Sequence, residues 1–292
     1  MALAAFDAHV ALGTGYPGTP STEILEAFDA LGGKAQWAPN EKVGFEVALG
    51  AAFGGARAMV TMKHVGVNVA ADPLFTATYT GVSAALVLVS CDDPGMASSQ
   101  NEQDNRNYAP FAGIPMLEPA DSQEAYDFLI ACVELSEKWK LPVMLRMTTR
   151  VCHSKSIVVR RKDQPEPPAP AFVRDVKGRV MIPAYARPAH RRLREKLAAI
   201  QQWSESSELN RIVGPQPTDV NQNSKVGIIT SNIAFMHVRE ACPEATVLKL
   251  GVTYPLPIEK IRAFVRSVQR CVVVEEGDPY LTDAIRASGI QV

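Results

Sequence analysis

Four kinds of reactive side chain stand in this sequence near turns that lead into helices. Residues 14–24 read Thr-Gly-Tyr-Pro-Gly-Thr-Pro-Ser-Thr-Glu-Ile, a glycine- and proline-rich turn followed by an amphipathic helix. Such a turn gathers backbone N–H groups and the Thr19 hydroxyl at a helix start, where a small anion binds readily. Thr19 is expected as the N-cap and Pro20 as the first helical residue. Gly13, Gly15 and Gly18 also satisfy G-x-G-x-x-G, with Glu41 near enough to act as the ribose-binding acid of a dinucleotide fold. Against that, Pro17 removes a donor that phosphates need, and the helix begins only after the last glycine. Glu41 precedes a helix expected from about residue 43. A carboxylate there favours the positive end of the helix dipole, either as a capping acid or as a partner for a heterocycle nitrogen. His64 follows an apolar strand, as a satisfied histidine or a binding residue. Residues 90–106 follow another and hold four acids and one base, Arg106; they form either a solvated loop or part of a ligand site.

These residues need a scaffold that brings strand ends together. Short apolar strands are predicted at 58–62, 84–90, 116–117 and 142–147, with helices near 1–11, 24–31, 43–53, 69–80 and 122–138. Buried strands alternating with helices imply a doubly wound parallel α/β sheet covered on both faces. We assign residues 1–158 to this first domain. Residues 159–224 form a linker: 164–171 is proline-rich and extended, while Leu193, Leu197, Ile200 and Trp203 lie at helical spacing. Arg191, Arg192, Arg194 and Lys196 on that helix form a solvated face or a phosphate or partner contact. Residues 225–292 alternate again, as a second, smaller α/β domain. Residues 289–292 read as the opening of a further strand, so both ends look cut.

The chain has 292 residues, 47% hydrophobic and 21% charged, with a net charge of −1. This balance gives no argument for nucleic acid or an anionic membrane as partner. No apolar run is long enough to span a bilayer, and residues 1–12 lack the basic start of a signal peptide. Five cysteines, at 91, 132, 152, 242 and 271, contain no C-x-x-C. They are expected as buried thiols in a reducing cytoplasm rather than as a disulfide, zinc or cluster framework.

Six ordered stretches together carry a resemblance: 15–24 (GYPGTPSTEI), 37–57 (WAPNEKVGFEVALGAAFGGAR), 63–76 (KHVGVNVAADPLFT), 92–106 (DDPGMASSQNEQDNR), 147–154 (MTTRVCHS) and 275–279 (EEGDP). They resemble the 2-oxoacid:ferredoxin oxidoreductases, and within them the α subunit of the indolepyruvate type. The resemblance implies a thiamine diphosphate-dependent, cytoplasmic enzyme component whose first domain binds the cofactor's aminopyrimidine and whose second is transketolase-C-like. It implies that Glu41, rather than Glu46 a turn later, bonds the pyrimidine ring nitrogen. That contact favours the imino tautomer, whose nitrogen removes the thiazolium C2 proton. It further implies that Thr19 lies near substrate and cofactor and that Arg106 pairs with the substrate carboxylate. His64, Asn68, Gln100 and Asn101 become pocket residues.

The family's diphosphate–magnesium motif and its iron–sulfur cysteine repeats are absent. The resemblance therefore implies that Mg2+ and the diphosphate are held by a separate domain or subunit. The complete complex would add iron–sulfur clusters, coenzyme A, a gamma or beta subunit and ferredoxin in a hetero-oligomer or dimer. The alternative is a non-catalytic assembly or regulatory homologue of the same fold.

Overall fold

The computed structural model describes residues 1–161, 164–215 and 226–292. Its strands, in chain order, are β1 Leu12–Gly15, β2 Ala35–Trp37, β3 Ala58–Lys63, β4 Leu86–Asp92, β5 Met116–Leu117, β6 Val143–Thr148, β7 Arg211–Val213, β8 Val226–Ser231, β9 Thr246–Leu250, β10 Val252–Tyr254 and β11 Arg270–Val274. They form a seven-stranded sheet of order β10-β5-β6-β4-β3-β1-β2 and a four-stranded sheet of order β11-β8-β9-β7. Pairing is parallel except at two edges, where β10 runs antiparallel to β5 and β7 antiparallel to β9. The architecture is the doubly wound α/β fold expected.

β4 and β6 are buried along their whole length, which is why both appear in the sequence as near-continuous apolar runs. On one face Leu25, Phe28, Phe128 and Leu129 pack beneath the helices Ala2–Asp7, Thr22–Ala30 and Ser122–Trp139. On the other, Phe45, Leu49, Leu74 and Ile114 pack beneath the helices Glu41–Phe53 and Ala71–Thr80. The small residues of Glu41–Phe53 let it approach closely: a Cβ on Gly44 would lie 3.7 Å from the Gly15 backbone.

Several expectations change. β1, β2, β7 and β10 were not anticipated. The first helix ends at Asp7, and His9 takes a positive φ of 52°. The helix expected over 69–80 is present as Ala71–Thr80, and a short helix, His64–Val69, precedes it unanticipated. Residues 289–292 form no strand; Ile290 instead packs against Leu281 and Ile285. The linker helix Pro183–Ser206 buries Leu193, Leu197 and Ile200 as its periodicity predicts. The 224/225 boundary lies outside the described residues. All five cysteines are free, but only Cys91 and Cys132 are buried, and Cys242 is exposed. Among the described residues no helix is long and apolar enough to cross a membrane.

Candidate functional site

From β1 the chain moves to β2 on one side and later to β3 on the other, so the sheet reverses direction between β1 and β3. In open α/β sheets the crevice outside such a reversal, at the carboxyl ends of the strands, is where ligands bind. The glycines of β1 exist for closeness. A Cβ on Gly13 would meet Leu25 at 2.9 Å, and one on Gly15 would meet the Thr61 carbonyl and hydroxyl oxygens at 2.8 Å. This overturns the phosphate-fingerprint interpretation. Gly13 and Gly15 are strand residues, not the turn that would hold a pyrophosphate.

The turn after β1 also differs from expectation. The Thr19–Pro20 peptide is cis. Ser21 donates both its N–H and its hydroxyl to the Gly18 carbonyl, each at 2.7 Å, and the helix starts at Thr22 with Ser21 in the N-cap position. Thr19 therefore caps nothing. Its side chain is exposed and bonds to no described residue.

Glu41 opens the helix Glu41–Phe53, two residues earlier than expected because the Asn40 side chain caps it by accepting the Val43 N–H at 3.0 Å. The carboxylate lies against bare backbone: a Cβ on Gly66 would sit 2.6 Å from both Cγ and Oε1 of Glu41. Glu41 is half-buried and has no hydrogen bond or ion pair to any described residue. Glu46 is half exposed and 4.0 Å from Lys42, so the unspent carboxylate in the crevice is that of Glu41.

His64 and Asn68 lie on the short helix after β3. His64 is fully buried, its Nε2 is 3.3 Å from Asn101 Oδ1, and its Nδ1 has no partner among the described residues. Asn68 is exposed and exchanges hydrogen bonds with Gln103 while accepting from the Tyr108 hydroxyl. Gln103 and Asn105 both donate to the His64 carbonyl at 3.0 Å. The polar run after β4 is thus a fastened loop over the crevice. Gln100 is exposed. Lys63 donates to the Ser98 carbonyl at 2.6 Å. Asp93 accepts from the Ser98 N–H, the Ser99 hydroxyl and the Thr149 hydroxyl. Burial opposes ionisation of Asp93, but the bonds from Ser99, Ser98, Thr149 and Ala97 prevail and hold its carboxyl at about 2. Lys63, Asp93, Gln103 and Asn105 were not singled out from sequence; the density of polar residues in this run was the signal.

Arg106 requires a correction. Its side chain is 1% exposed. The guanidinium donates to Asp104, to Glu275 at 2.6 Å and to the carbonyls of Glu276 and Asp278 at 3.0 and 2.8 Å, over the Tyr280 ring. It faces the C-terminal segment and has no open side for a substrate carboxylate. Beside it Arg146 bonds Asp92 and Glu118 and lies 3.5 Å from Asp104. Burial opposes the Arg146 charge, but these carboxylates outweigh it and push its pKa well up. The Asp92 carboxyl is pushed up by its own burial despite Arg146. Arg146 escaped the sequence analysis because it is a lone cation inside an apolar strand.

Among the described residues no group of three or more His, Cys, Asp or Glu could hold a metal ion. The crevice offers a carboxylate, a hydroxyl and a buried imidazole.

The family described as pyruvate flavodoxin/ferredoxin oxidoreductase, thiamine diphosphate-binding, matches residues 3–214. The chain is 41% identical over 292 residues to the indolepyruvate oxidoreductase subunit IorA of Methanothermobacter thermautotrophicus, covering 97% of this chain and 46% of that protein. It is 42% identical over 303 residues to the subunit of the same name from Archaeoglobus fulgidus, covering 99% and 48%. The chain therefore spans about half the length of the curated relatives it matches. Its fold superposes with a TM-score of 0.76 and 18% identity on the 2-oxoglutarate:ferredoxin oxidoreductase of Magnetococcus marinus, over 98% of this chain and 58% of that one. Matched over residues 3–214, most of its length, this chain belongs to the pyruvate flavodoxin/ferredoxin oxidoreductase family, in its thiamine diphosphate-binding part.

Proposed function

We propose that this chain supplies the aminopyrimidine-activating half of the active site of a thiamine diphosphate-dependent 2-oxoacid:ferredoxin oxidoreductase of the indolepyruvate type. The observation that carries this is Glu41: a half-buried carboxylate at a helix N-terminus, against a glycine, with no partner in its own chain. A carboxylate retained only for structure would be capped, paired or solvated. The residues present suit the aminopyrimidine, whose ring nitrogen Glu41 would hold through a shared proton. They do not suit the diphosphate and its Mg2+, which fall to a companion domain or subunit.

Thiamine diphosphate, when bound, supplies a nucleophilic carbon for the 2-oxo group and takes up the electrons released by decarboxylation. The chain's own share is positional and protonic. Glu41 stands in the first turn of the helix Glu41–Phe53, which places its carboxylate to share a proton with the aminopyrimidine. Thr19 offers a hydroxyl at the mouth of the crevice. With Arg106 committed elsewhere, Lys63 beside the turn, whose Cβ lies 3.1 Å from where a Cβ on Gly18 would be, is a cation for a substrate carboxylate, its ammonium keeping two donors besides the one given to the Ser98 carbonyl. A cavity of about 730 Å³ lined by Pro20, Ile24, Met147, Val151 and Cys152, among others, opens beside the same turn. Its mostly apolar wall supports an aryl side chain on the substrate.

Tyr16, Trp37, Val69 and Met96 are 40–48% exposed and all lie on elements or turns at the carboxyl edge. Exposed apolar groups around an incomplete site mark a surface that a partner covers. This supports a multisubunit enzyme, with coenzyme A, iron–sulfur clusters and ferredoxin handled outside this chain.

The test is Glu41→Gln in the assembled oxidoreductase, followed by hydrogen–deuterium exchange at the cofactor's C2 position. Loss of a positioned acid–base contact should slow exchange by about 10²- to 10⁴-fold with unchanged circular dichroism. Exchange at the wild-type rate would overturn the assignment.

A further inference from the structure

The basic run of the linker helix has a second role, on the sheet edge opposite Glu41. A cavity of about 430 Å³ lies between the helices Ala71–Thr80 and Pro183–Ser206, lined by Tyr79, Asp175, Lys177, Arg192 and Lys196 among others. The segments that enter β4 and β6 run beside it. Arg179 donates to the carbonyls of Thr80 and Gly81 at 3.0 and 2.7 Å and to the Ser83 hydroxyl at 2.7 Å. Lys140 donates to the Ser83 carbonyl at 3.0 Å, and Lys196 to the Lys140 carbonyl at 3.2 Å.

Lys140, Lys177, Arg179, Arg192 and Lys196 thus converge, and among the described residues none of them forms an ion pair with a carboxylate within 4.0 Å. The one acid in the lining is Asp175, which already accepts the Gly178 N–H at 2.9 Å. Arg192 and Lys177 spend no donor on any described residue. Burial first, and then repulsion from Arg192, Arg179 and Lys140, push the Lys196 ammonium pKa down.

We propose that this cavity binds a small phosphate-bearing anion, held by the Arg192 guanidinium and the Lys177 and Lys196 ammonium groups. Guanidinium matches two phosphate oxygens at once, and the ammonium groups act as point charges. A compact anion relieves the mutual repulsion of the five cations. It also fastens the linker helix to the first sheet. A neutral or cationic ligand would do neither.

The experiment is isothermal titration calorimetry of the whole chain with inorganic phosphate, pyrophosphate and ADP, each against potassium chloride at matched ionic strength. Saturable binding is expected, weakened about tenfold or more by Arg192→Gln and by Lys196→Gln, as befits loss of one charge-assisted contact. Arg191→Gln, on the same helix but outside the cavity lining, and Glu41→Gln, on the other sheet edge, should leave it unchanged. Tighter binding of ADP than of pyrophosphate assigns the site to a phosphate ester, and the reverse to free phosphate. Binding that is indifferent to Arg192→Gln, or no heat beyond that of the chloride control, overturns the proposal. Failure here leaves the role of Glu41 untouched, because the two sites share no residue.

Discussion

Gly66 determines where the Glu41 carboxylate can rest, because any side chain there would occupy the position of Cγ and Oε1. The place of Glu41 near a helix start was legible in the sequence, but its assignment to the pyrimidine came from the family resemblance, and its lack of a partner shows only in the fold. Arg106 was not legible, since its partners lie 169 to 172 positions further along the chain, beyond any local pattern. Asp93 carries a prediction at this scale. Its folded carboxyl titrates at about 2, below the ordinary value of 3.8. A lowered folded pKa contributes stability that is present above the unfolded pKa and lost as pH falls through the folded one. The loop 93–107 should therefore loosen between about pH 4 and pH 2. The protection of the Ser98 amide against hydrogen exchange, relative to the intrinsic rate at each pH, should fall over that window, and Asp93→Asn should remove that fall. A flat profile in the wild type would count against this anchor.

Among the elements, β4 and β6 announced themselves because a strand buried on both faces must be apolar throughout. β1 did not, because its residues Leu12–Gly15 are half glycine, chosen for the close approach of Thr61 and Phe28, and glycine reads as a turn. β10 has only three residues and pairs antiparallel with a strand more than a hundred positions earlier, so no local period reveals it. The loop after β4 is held at both ends: Asp93 fixes its start, and Arg106 fixes its finish to Glu275, which also accepts the Leu281 and Thr282 N–H groups at the start of the helix Tyr280–Ala287. Arg106→Ala would take the balancing charge from the buried carboxylates of Asp104 and Glu275. A loss of about 3–5 kcal/mol in denaturant unfolding is expected, with kcat and KM of the assembled enzyme both disturbed through the loop. Unchanged stability with a raised KM alone would return Arg106 to the substrate.

At the scale of the whole molecule, the two sheets are joined by charge as well as by chain. Lys249 on β9 bonds Glu124 of the first sheet's covering helix, as does Arg211 on β7. Burial lowers the Lys249 pKa in spite of Glu124, so the contact is more a requirement of fit than a source of stability. Ser231 at the end of β8 reaches Glu118 at 3.3 Å. Exposed apolar groups gather at the carboxyl edge of the first sheet, whereas among the described residues Lys140, Lys177, Arg179, Arg192 and Lys196 gather near its amino edge without an ion pair. On the two proposals above, one end of the molecule would meet a companion protein and the other a small anion.

The loan of β10 to the first sheet has a practical consequence for dissection. β10 covers Met116 and Leu117, and the Glu118 N–H completes the contact on the Gly251 carbonyl at 2.9 Å. A fragment of residues 1–158 would bare this rim, with main-chain donors and acceptors lined up along an apolar strand. Such rims seek another chain to pair with. The fragment should therefore self-associate with rising concentration in light scattering. A peptide spanning residues 249–256, added in excess, should suppress that growth by returning the missing strand. A fragment that stays monomeric would show that the sheet can seal itself without its borrowed margin.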